Sequence, residues 1–93
     1  MSENKYRLVE DITQEAKQIA EKIDNFSEQI KILEAKLYIG TNSWGGHPFY
    51  ILLIYEIDGM RREKLEEECC TISDTLRFML SEIDKYYKRT HKI

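Results

Sequence analysis

Two histidines, two cysteines and a run of three glutamates are the residues whose types could do chemistry in this chain. His47 falls in a glycine-rich stretch and His91 in a basic tail, so the spacing assembles no paired metal site and each reads as an exposed polar residue. Glu66-Glu67-Glu68 is acidic enough to attract a cation, but it lacks the Asx and Gly spacing of a calcium loop and suits a solvated helix face. Cys69 and Cys70 are neighbours in the chain and cannot staple distant segments; they imply a reducing compartment and packing roles, with a redox or inter-chain role for Cys70 as the alternative. Gly45-Gly46 is followed by no Lys-Ser or Lys-Thr pair, so it is not a phosphate loop, and backbone freedom at a turn accounts for it. Trp44 either caps a core or presents an exposed anchor to a partner. No nucleophile, base and charge stabiliser converge. The expectation is a protein that is not an enzyme, takes no metal or cofactor, shows no evident small-molecule substrate, and works by binding another protein.

At 93 residues the chain is one unit, too short for two independent cores, and a domain of this size is expected to supplement its core by dimerisation. Charged residues make up 33% and hydrophobic ones 42%, a globular rather than disordered balance. A net charge of −3 offers no footprint for a phosphate backbone, so nucleic acid is not an expected partner. The basic cluster Lys85, Lys88, Arg89, His91 and Lys92 reads as charge at a helix C-terminus. Residues 1–10 lack the apolar core of a signal peptide, and the run Phe49 to Tyr55 is too short to span a bilayer. A cytoplasmic protein, with export possible only without a cleavable signal, is the expectation.

The elements that would position these residues are read from apolar spacing. Val9, Ile12, Ala16, Ile19, Ile23, Phe26, Ile30, Leu33 and Leu37 alternate steps of three and four, a heptad seam with no Gly or Pro before Gly40. Leu65, Cys69, Ile72, Leu76, Met79, Ile83 and Tyr86 repeat it. Between them, residues 40–48 hold three of the four glycines and the only proline. The reading is a mainly α, antiparallel helical hairpin forming one domain over 1–93: a first helix over about 4–39, a turn over 40–48 with Pro48 starting the next helix, and a second helix over about 49–90. The segment Phe49 to Ile57 is apolar on all sides and fits neither seam. As a helix it requires a kink near Gly59; as a strand it would end at Asp58-Gly59 and pair with Lys36 to Thr41, giving an α-β-β-α alternative with a central β-hairpin at about 36–57. A partner is expected to contact Ile12, Ile19, Ile23, Phe26, Ile30, Leu33, Leu37, Phe49, Leu52, Tyr55, Leu65, Ile72, Leu76, Met79 and Ile83.

Trp44-Gly45-Gly46 at mid-chain, flanked by two heptad segments, resembles the Trp-X-Gly family of small type VII secretion proteins. The resemblance covers nearly the whole chain, with Ile12, Ile19, Ile23, Phe26, Ile30 and Leu37 spaced as in that family's first helix. It implies a coiled-coil-like helical hairpin that acts as one half of a dimer, a secretion substrate, chaperone or targeting partner. The family's C-terminal signal, a tyrosine followed four residues later by an acid, is absent: Tyr86 is followed by Thr90 and Tyr87 by His91. The resemblance therefore implies the unsignalled half of a heterodimer. The alternative function is an intracellular or phage-encoded adaptor, chaperone or inhibitor that binds a host protein.

Overall fold

The structure, a computed structural model, describes residues 6–40 and 48–91. Its elements are β1 (Tyr6–Asp11), α1 (Thr13–Glu21), β2 (Ile30–Gly40), β3 (Phe49–Ile57), β4 (Met60–Glu67) and α2 (Ile72–Thr90). The strands form an antiparallel sheet in the order β1-β2-β3-β4, and both helices pack on one face of it. This is a two-layer α+β fold, with helices gathered on one side of a meander.

The mainly α hairpin and its coiled coil are thereby corrected. The first helix, expected over about 4–39, is helical only in α1; the second, expected over about 49–90, is helical only in α2. Residues 40–48 do join two antiparallel elements, but these are β2 and β3, and Pro48 precedes a strand rather than a helix. The α-β-β-α alternative is corrected too. Lys36 to Ile39 pair with Leu52 to Phe49, yet that pairing runs on to Ile30 and Ile57 and sits inside a four-stranded sheet.

The physical reason lies in β2. Ile30 and Ile32 point to the core, register shifts at Leu33, and Ala35 and Leu37 then return to the core. A period of two broken by one bulged residue puts apolar side chains at 30, 33 and 37, which mimics a heptad. The true helical period survives where a helix exists: Ile12, Ala16 and Ala20 are buried along α1, and Leu76, Met79, Leu80 and Ile83 along α2. On α2 the stripe continues to the half-buried Tyr87 rather than to Tyr86, because a straight helix follows 3.6 residues per turn and not 3.5.

β3 is a central strand, which explains its unbroken hydrophobicity. Ile51, Leu53, Tyr55 and Ile57 enter the core, while Tyr50, Leu52 and Ile54 face the other side. It turns into β4 through Asp58 (φ 53°) and Gly59 (φ 82°), two left-handed residues bridging the pair Ile57 and Met60. A two-residue loop with positive φ at both positions is the Asp-Gly hairpin turn, whose twist matches the strands it joins. α2 begins at Thr71, whose hydroxyl accepts from the Asp74 amide at 3.0 Å. Lys88 and Arg89 close its last turn. α1 is linked to β2 by a connection in which Asn25 takes a left-handed φ of 60°. The Ser27 amide and hydroxyl in that connection both donate to the Asp84 carboxylate on α2, at 3.0 and 2.8 Å.

Candidate binding surface

The sheet face turned away from the helices is assembled by strand register. Residues paired across an antiparallel ladder share a face. One row across the sheet reads Leu8, Tyr38, Tyr50, Glu67; the next reads Asp11, Lys36, Leu52, Leu65; the next carries Glu34, Ile54, Glu63; the last carries Lys31, Glu56, Arg61. Tyr6, opposite Gly40, adds a further ring at the apolar end, where it meets Tyr50. The result is an apolar half made of Tyr6, Leu8, Tyr38, Tyr50, Leu52 and Leu65, followed by two charged rows.

This half is not sealed by the chain itself. Leu8 is 57% exposed, Leu65 48% and Tyr6 44%, while Tyr38, Tyr50 and Leu52 are half-buried. Clustered exposed apolar side chains on one face mark a contact surface, where scattered ones would not. Burial pushes the Tyr50 hydroxyl above its ordinary range, and the neighbouring Glu67 carboxylate adds to this.

Its border is acidic. Asp11, Glu34, Glu63 and Glu67 edge the apolar half against a single cation, Lys36, and that cation is engaged at 3.3 Å by Glu34. Asp11 is held as a carboxylate by the Thr13 hydroxyl and amide, which lower its pKa, with Lys36 adding a smaller share. The outer strands are unsuited to recruiting another strand. β1 is bulged at Val9 and bears Arg7, Glu10 and Asp11, and β4 carries six charged residues in eight, from Arg61 to Glu67. Charge and bulges at sheet edges oppose edge-to-edge pairing, so the face rather than the rim is the surface available.

The residues expected to meet a partner are distributed differently. Ile12, Ile30, Leu37, Tyr55, Leu76, Met79 and Ile83 are buried in the chain's own core, and Ile19, Ile23, Phe26, Phe49 and Ile72 pack against it. Leu33 lies exposed at the β2 bulge. Leu52 and Leu65 belong to the open face. Trp44, Gly45 and Gly46, with His47, lie outside the described residues. Sequence reasoning passed over Tyr6, Leu8, Tyr38, Tyr50 and Ile54. The signal for two of them, Tyr50 and Ile54, was present in the strict alternation of Tyr50, Leu52 and Ile54 with Ile51, Leu53 and Tyr55.

The cysteines and basic cluster also resolve into separate places. Cys69 and Cys70 are both free and exposed between β4 and α2, with the Cys69 amide donating to the Thr75 hydroxyl at 3.1 Å. Lys88 pairs with Asp84 at 2.9 Å, and His91 Nε2 lies 3.4 Å from Asp58, whereas Lys85 and Arg89 face β4. Among the described residues no three His, Cys, Asp or Glu side chains are grouped to hold a metal, and no helix is long and apolar enough to cross a membrane.

Compared with family models, curated proteins and solved structures, the chain finds no significant match in any of the three. The long paired helices implied by the Trp-X-Gly resemblance are not formed.

Proposed function

We propose that this chain is a non-catalytic binding module that holds another protein against the open face of its sheet. The observation that carries the reading is the apolar half of that face, with Leu8, Leu65 and Tyr6 about half exposed inside an acidic border. Burying large apolar side chains drives association, and the border selects the partner by charge. The chemistry that fits is an apolar or aromatic anchor ringed by lysine and arginine. A second copy of the chain fits poorly, because two such faces would bring their carboxylates together. This keeps the adaptor or inhibitor reading and does not extend to secretion.

The test is a photo-crosslinking residue placed at Leu65 and, as a control, at the exposed Arg77 of α2. The expected result is an adduct from position 65, but not from 77, with a protein identified by mass spectrometry whose purified form binds in a salt-sensitive way through basic residues. An adduct with a second copy, or a dimer in sedimentation that Leu65→Lys dissolves, would replace this reading by self-association. No adduct in the native cell would overturn it.

A further inference from the structure

On the opposite side of the sheet the helical layer is incomplete. α1 packs on β2 and α2 lies over β3 and β4, but the residues that β4 turns toward α2 are Arg62, Lys64 and Glu66, none of which joins the apolar core. Between β4 and α2 lies a cleft of about 410 Å³, within the size range of small-molecule sites. Its walls are unlike the rest of this acidic chain. Arg62, Lys64, Lys85 and Arg89 line it against one carboxylate, Glu82. Lys64 bridges the walls, 3.4 Å from Glu66 on its own strand and 3.5 Å from Glu82 on the helix. Arg62, Lys85 and Arg89 form no ion pair with a carboxylate among the described residues.

Two aromatic rings flank these cations. Phe78 and Tyr86 stand four residues before and after Glu82 on the same strip of α2, 55% and 54% exposed, and both line the cleft. An exposed phenylalanine beside unpaired guanidinium groups has no role in the core that α2 packs through Leu76, Met79, Leu80 and Ile83.

We propose that this cleft binds a small phosphorylated molecule carrying an aromatic ring, of mononucleotide size. Two arginines present planar donor forks that match phosphate oxygens, and Lys85 adds a mobile charge. The rings offer faces for stacking. A single strand of nucleic acid fits less well, because beyond the cleft its charges would run over a surface of net charge −3. The site lies on the other side of the sheet from the protein-binding face, so the two readings stand or fall separately.

The experiment is an amide NMR titration of the full chain with adenosine monophosphate, adenosine, inorganic phosphate and a short oligothymidylate. Adenosine monophosphate should shift amides of residues 62–64 and 78–89 and bind about tenfold or more tightly than either phosphate or adenosine. Arg62→Gln with Arg89→Gln should weaken it by about tenfold or more. Phe78→Ala should weaken the nucleotide and leave phosphate binding unchanged, and Leu8→Lys on the opposite face should alter neither. All four positions are exposed, so the variants keep the fold. The proposal is overturned if millimolar nucleotide shifts nothing, if phosphate binds as tightly as the nucleotide, if nucleotide binding ignores Phe78→Ala, or if the oligonucleotide gains affinity with each added base.

Discussion

Tyr6 and Tyr50 meet edge to face, with ring centroids 5.1 Å apart and planes at 84°, although they stand on strands separated by β2. The gap is closed at Gly40. A Cβ built there would lie 2.9 Å from Tyr50 Cε1 and 3.3 Å from Pro48 Cγ, so the absence of a side chain lets Tyr50 lean across β2 toward the edge strand. Gly40 serves here by leaving space.

Gly40→Ala should therefore displace the Tyr50 ring and cost about 1–2 kcal/mol, the lower end of overpacking because an aromatic ring can swing aside. Tyr6→Ala should cost about 1 kcal/mol in the native background and less after Gly40→Ala, since the pair is already parted. Melting curves of the two single variants and the double variant test this. Additive losses would mean that the two rings do not depend on Gly40.

Substituting aspartate at four apolar positions separates the sheet from a heptad seam. Leu33 and Leu65 are exposed, and aspartate there should change stability by no more than about 0.5 kcal/mol. Leu76 and Leu37 are buried, and aspartate there should unfold the chain, because an unpaired buried charge costs several kcal/mol. A continuous seam would make all four equally damaging. Circular dichroism at increasing urea distinguishes the outcomes.

Asp84 ties α2 to the connection after α1. Burial alone would raise its pKa, but the Lys88 ammonium and the Ser27 hydroxyl and amide outweigh burial and bring it below the ordinary carboxylate value. A folded-state pKa below the unfolded one means that the contribution is fully present above the unfolded value, about 4, and is lost as pH falls through the folded value. Asp84→Ala should cost about 1–3 kcal/mol at neutral pH by leaving Ser27 unpaired. The difference from wild type should shrink in acid below that range. An unchanged difference at low pH would refute the link.

Leu8→Lys and Leu65→Lys should leave the folding stability within about 0.5 kcal/mol of wild type while weakening partner binding about tenfold. Raising salt should weaken the wild-type complex as the acidic border is screened. Calorimetry with the crosslinked partner reads both. Binding that is indifferent to salt and to both substitutions would move the contact off this face.

The Cys70 thiol is pushed upward chiefly by the neighbouring Cys69, with burial and the Asp74 and Glu68 carboxylates adding to it. Its alkylation should be slow at neutral pH and accelerate toward alkaline pH, followed by mass spectrometry of the modified peptide. Modification should leave the fold intact, because both thiols are exposed. Rapid alkylation at neutral pH would contradict this environment.

Local signals for α2 are present, a Thr cap, a 3.6-residue stripe and a basic last turn, but the expected helix over about 49–90 runs through them. Those for the Asp58-Gly59 turn are present too, though the expectation gives it only as a kink or a strand end. The strongly apolar segment at Phe49–Ile57 was legible as such. Local information did not decide whether the residues of β2 and β4 were helix or strand, because Glu, Lys and Leu are tolerated in both and the bulge at Leu33 disguises a period of two as a heptad. Tertiary structure decided that by pairing residues far apart in the chain, such as Tyr6 with Gly40 and Ile30 with Ile57, and by the link that the Glu68 amide completes to the Phe49 carbonyl. It also decided the faces. Leu65 and Leu76 are one residue type at one apparent seam, yet the first stands in water on an open sheet and the second is sealed under it, because side chains in a strand alternate between two environments that only the packing of the helices makes unequal.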